Sequence, residues 1–218
     1  MLIVFGDSFT YGFNFNEEER VDSVYPSILG RKMGQGVSNL ALPGAGNWRT
    51  ARRLISTPLT KDDTVVISWS TPSRFELGVS ESHYNPPIAA GRIGDLVEVS
   101  GKLITRRFFE QLTDRTSDPD AKLVNDIIYK EFNNRLWFEE IFKVMYASCV
   151  YNLEQSGCKW CMFNAWSVQA DSEYHKNYLY SGKTMSEIIG ATNGGYWGKP
   201  QHEQVAEVLM RELANLYG

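Results

Sequence analysis

Gly6-Asp7-Ser8 stands directly after the apolar run Leu2-Ile3-Val4-Phe5. Such a run reads as a short buried strand, and the glycine after it permits a sharp turn. A serine at the carboxyl end of a central strand sits where open α/β sheets bind ligands. Ser8 is therefore a candidate nucleophile, provided that a base reaches it. Backbone N–H groups at the start of a following loop or helix can face an oxyanion. The plainer reading is a strand-to-turn junction with Ser8 as a helix cap.

A base has few sources, because the chain has three histidines. His202 falls in the first turn of the last helix, whose N-terminus lowers a histidine pKa and keeps the ring able to accept a proton. His175 lies in Asp171-Ser172-Glu173-Tyr174-His175, beside two carboxylates that can orient it. His83, next to Tyr84, reads as a surface histidine. A second block, Asn39-Leu40-Ala41-Leu42-Pro43-Gly44-Ala45-Gly46-Asn47, follows the next strand. Gly44 lets a backbone N–H approach a ligand closely, and Asn47 is either a side-chain donor or a helix cap.

These groups need a scaffold, and the pattern supplies alternating strands and helices, the mark of parallel βαβ units. Strands are expected at 2–5, 37–42, 64–69 and 159–165. Helices are expected at 24–33 with Pro26 in the first turn, at 47–55, over about 120–155 as one or two pieces, and at 200–216. Residues 75–104 carry Pro86-Pro87 and several glycines and read as an inserted loop or hairpin; 166–198 read as a long polar and aromatic loop. The whole is one domain, in keeping with 218 residues, 43% of them hydrophobic.

The two blocks together resemble the SGNH (GDSL-type) hydrolase family: Gly6-Asp7-Ser8 matches its first block, and Asn39, Ala41 and Gly44 match its second, Asn-x-Ala-x-x-Gly. The resemblance covers nearly the whole chain. It implies a three-layer, flavodoxin-like α/β fold with a central parallel sheet. It also implies a serine esterase or acyl-hydrolase that uses no metal or other cofactor. Ser8 would then attack the ester carbonyl while the N–H groups of Ser8 and Gly44 hold the oxyanion. A small-molecule or carbohydrate ester, carbohydrate O-acetyl esters included, is the substrate class this implies.

Two blocks diverge. The family's third block, Gly-x-Asn-Asp, is replaced by Trp69-Ser70-Thr71-Pro72-Ser73-Arg74. Ser70, Thr71 or Asn47 then stand in as donors, and Arg74 can stabilise negative charge or pair with Glu76. In the fifth block, Asp-x-x-His, ungapped alignment puts Tyr196 at the histidine and Asn193 at the aspartate, with His202 six residues on. A tyrosine of ordinary pKa is a poor base at neutral pH. A protein that keeps the fold and Ser8 but binds without catalysis is the alternative.

Other features narrow the class. A net charge of −4 without a basic block argues against nucleic-acid or anionic-membrane binding. No apolar run approaches a membrane span, and the N-terminus lacks a signal-peptide pattern. An odd number of cysteines, Cys149, Cys158 and Cys161, points to a reducing, cytoplasmic setting. Cys158 and Cys161 read as core rather than as a redox or zinc pair. The aromatics Trp166, Tyr174, Tyr178, Tyr180, Tyr196 and Trp197 either line a ligand site or pack the loop down.

Overall fold

The computed structural model describes residues 1–71, 75–77, 102–104, 135–165, 174–191 and 196–218. Five strands form a parallel sheet: β1 (Leu2–Phe5), β2 (Val37–Asn39), β3 (Thr64–Trp69), β6 (Lys159–Asn164) and β7 (Tyr178–Thr184), in the order β2-β1-β3-β6-β7. This is the flavodoxin-like order, and its topological switch point lies between β1 and β3. The short strands β4 (Phe75–Leu77) and β5 (Lys102–Ile104) pair antiparallel, apart from the main sheet.

Alternation along the strands builds two separate cores. Leu2, Val4, Val66, Cys161 and Phe163 face one side, under α3 (Tyr25–Met33) and a long C-terminal helix at Lys199–Tyr217. Ile3, Phe5, Val65, Ile67, Trp69, Trp160 and Met162 face the other, under α4 (Asn47–Ile55) and α5 (Arg135–Ser156). β3 is buried at all six positions, because helices cover both faces of a parallel sheet. The three-layer architecture expected from the sequence is the one found.

Cys158, just before β6, belongs to the second core, and Cys161, within β6, to the first, so they lie on opposite faces of the sheet. All three cysteines are free and buried, and burial pushes the Cys149 thiol up to about 12. They pack as small apolar side chains.

Several boundaries differ from expectation. Residues 17–23 form α2 (Glu17–Ser23), opened by a capping box between Asn16 and Glu19. The helix after it starts at Tyr25 behind Val24, which makes no side-chain cap. The segment read as a long loop at 166–198 contains β7 and a short helix, α6 (Met185–Ile188), capped by a Thr184–Glu187 box. β7 is an edge strand, half exposed along its middle, with a register irregularity opposite Phe163 and Asn164 and a positive φ of 53° at Tyr180. An irregular edge strand loses the apolar run that marked the others. The C-terminal helix is α7 (Lys199–Tyr217). No described helix is long and apolar enough to cross a membrane.

Candidate active site

Ser8 is the first residue of α1 (Ser8–Tyr11), directly past the carboxyl end of β1. The cap is Asp7, not Ser8: its carboxylate accepts the Phe9 N–H at 3.0 Å. That leaves the serine hydroxyl uncommitted. Ser8 is buried, and its Oγ has no hydrogen-bond partner among the described residues. Gly6 is required here by close approach rather than by an unusual φ. A Cβ on it would lie 2.3 Å from Thr10 Oγ1 and 3.0 Å from Ser68 Cβ.

The two sequence blocks meet directly. Leu42 N–H donates to Gly6 O at 3.1 Å, and Asn39 Nδ2 donates to Thr10 O at 3.1 Å. Asn39 Oδ1 in turn accepts the Ala41 N–H. Gly44 follows at a left-handed φ of 73°, a conformation that favours glycine.

A buried network joins three loops at the switch point. Ser70 Oγ donates to Asp7 Oδ2 at 2.9 Å, and Ser70 N–H donates to Asn47 Oδ1 at 2.8 Å. Asp7, Ser70 and Asn47 are all at most 1% exposed. Asn47 thus reaches from α4 to the end of β3. Sequence reasoning named Ser70 and Asn47 but missed Asp7 as the carboxylate that holds the loops together. An aspartate before a helical start is a cap signal that would have found it.

His202 lies in the first turn of α7 and is 1% exposed. Its Nδ1 accepts the Tyr25 N–H at 3.1 Å. In the neutral ring the proton is then assigned to Nε2. Nε2 is buried with no hydrogen-bond partner among the described residues, so it is not bonded to Ser8. The ring stacks on Tyr25 at 6.0 Å and 19°, with Trp197 and Phe15 beside it. Burial lowers its pKa to about 4. Depression of the pKa was expected, but its cause is desolvation.

The other candidates separate from Ser8. His175 stacks on Trp160 near the start of β6 and lies 3.6 Å from Glu154 at the end of α5. That is the amino-terminal edge of the sheet, opposite Ser8, so a base role for His175 is corrected by the topology. Tyr196 lies against α1 and the loop after it: its ring is 5.3 Å from Phe9 and 5.4 Å from Phe13. Tyr174 and Tyr178 stack on each other at 4.3 Å instead, and pack with Tyr146. Arg74 and His83 lie outside the described residues. No group of His, Cys, Asp and Glu among the described residues could hold a metal.

No family model and no curated protein matches the chain. Among solved structures it is similar to a carbohydrate esterase family 2 enzyme with a carbohydrate-binding domain from Corynascus thermopiles (Myceliophthora fergusii). The identity is 12% and the TM-score 0.47, over 98% of this chain and 65% of that one. TesA gives 12% identity and a TM-score of 0.44, over 97% and 98% of the two chains. A putative lipolytic protein of the G-D-S-L family from Desulfitobacterium hafniense gives 13% and 0.33, over 96% and 97%. This chain therefore spans just under two thirds of the length of the first.

Proposed function

We propose that the chain is a serine hydrolase acting on esters, with Ser8 as nucleophile. The buried, uncommitted Ser8 hydroxyl at the sheet's switch point carries this reading. Leaving a buried hydroxyl unpaired costs about 1–3 kcal/mol. Around it Asp7, Ser70 and Asn47 are bonded to one another, while Ser68 Oγ and His202 Nε2 are, like Ser8 Oγ, buried without a partner among the described residues. Buried polar groups kept without partners at a strand end are what a functional site retains.

In this scheme Ser8 Oγ gives its proton to a base and bonds to the ester carbonyl carbon. The oxyanion faces the N–H groups of Ser8 and Gly44, with the Asn47 amide as a further donor. The alcohol leaves with the proton, and water then releases the acid from the acyl-serine. A small or carbohydrate ester is the proposed substrate class.

His202 is the base of this scheme on one condition. It must release the Tyr25 N–H and turn an unprotonated nitrogen to Ser8. The same observation favours a second reading, in which His202 is a core histidine and the site binds without turnover. The enclosure of Ser8 Oγ agrees with that second reading.

Hydrolysis of p-nitrophenyl acetate by the intact chain, with Ser8→Ala and His202→Gln as comparisons, tests both. The hydrolase reading expects turnover that Ser8→Ala abolishes. No turnover above Ser8→Ala supports the binding reading.

A further inference from the structure

Two large aromatic side chains next to α1, the helix that Ser8 opens, stay exposed. Phe13 is 44% exposed and Tyr196 is 48% exposed. Their ring centroids lie 5.4 Å apart with planes at 41°. Behind them Phe9 meets Tyr196 at 5.3 Å and Trp197 at 5.0 Å, and Trp197 is buried. A single exposed apolar residue needs no explanation, whereas two adjoining aromatic rings give a surface on which a ligand ring can lie.

The backbone ties this pair to the candidate nucleophile. Phe13 N–H donates to the Ser8 carbonyl at 3.1 Å. Gly12, just before it, is left-handed at φ +77°, and a Cβ there would meet Val24 Cγ1 at 2.2 Å. Asn14 Nδ2 donates to the Trp197 carbonyl at 3.1 Å, bracing the loop of Phe13 against the segment of Tyr196. The two rings come from opposite ends of the chain and meet each other, and the Phe13 backbone ties them to Ser8. Partly exposed aromatic rings held in place suit stacking on a flat ring. A flexible alkyl chain is better held by an enclosed apolar channel.

We propose that Phe13 and Tyr196 form a ring-stacking subsite of the Ser8 centre. It takes the flat face of a six-membered ring, pyranose or aryl, in the group next to the scissile ester. The reaction rests on the ester-hydrolase reading; the binding does not. The Tyr196 hydroxyl gives the subsite one polar edge, which a sugar uses and an aryl ring does not.

Two measurements test it. First, kcat/KM is compared for acetylated methyl xyloside, phenyl acetate and ethyl acetate, in the intact chain and in Phe13→Ala, Tyr196→Ala and Tyr196→Phe. The alanine variants should lose roughly three- to tenfold more on the ring esters than on ethyl acetate, through KM. Tyr196→Phe should lose only the xyloside if the ring is a sugar, and neither ring ester if it is aryl. An equal loss on all three esters, or no loss, overturns the proposal. Second, Ser8→Ala is titrated with methyl xyloside and with benzyl alcohol, read by NMR at Phe13 and Tyr196. A shift with either ligand that Phe13→Ala removes supports the subsite even if the chain hydrolyses nothing, and then only the hydrolase reading fails. No shift with both overturns the subsite.

Discussion

His202 titrates as a consequence of where it is packed. Burial holds its pKa at about 4, below the 6.5 of an exposed histidine. The unfolded chain therefore binds a proton between these two values that the folded chain refuses. Stability from this group is full above about pH 6.5 and is lost as pH falls towards 4, by an amount on the order of 3 kcal/mol. Urea unfolding at pH 7 and at pH 4.5 should show this loss, and His202→Gln should flatten it. Ser70→Ala removes a donor from the buried Asp7 carboxylate and should cost about 1.5–3 kcal/mol in the same assay. Tyr196 gives a chemical test at this scale. If the site lacks only a base at that position, Tyr196→His should raise p-nitrophenyl acetate turnover well above that of the intact chain. An unchanged rate removes position 196 as the missing base.

The elements around Ser8 are set by local backbone chemistry. Gly12 and Gly34 both close helices in the left-handed region, but only Gly12 also faces a wall of side chain. A left-handed alanine costs about 1–2 kcal/mol. Gly12→Ala must also displace Val24 and should exceed Gly34→Ala by at least about 1 kcal/mol in thermal unfolding. Such elements were legible where the signal was local. The apolar runs at 2–5 and 64–69 and the helix at 47–55 stand where expected. β7 was not legible, because an irregular, half-exposed edge strand carries no periodic pattern. At the site, the Gly-Asp-Ser turn and the Asn39 block were legible, and the structure joins them by hydrogen bonds. The His202–Tyr25 bond was not, because it links positions far apart through a backbone N–H that no side-chain pattern announces.

At the scale of the molecule, one parallel sheet separates two cores that share strands but face opposite ways. Leu209 lies in the core under α3 and α7, and Leu153 in the core under α4 and α5. Each is fully buried, so Leu209→Ala and Leu153→Ala should each cost about 2–5 kcal/mol. With the sheet between them, the double variant should equal the sum within about 0.5 kcal/mol by denaturant unfolding. The same sheet brings the loops after β1, β2 and β3, which carry Ser8, Gly44 and Ser70, to one end. It leaves His175 at the other end.

The proposed function rests on a reactive Ser8, and fluorophosphonate labelling followed by intact mass measurement tests that most directly. The account predicts a single adduct on the intact chain, mapped to Ser8 and absent from Ser8→Ala. A chain that stays unlabelled, or that labels equally when Ser8 is alanine, contradicts it.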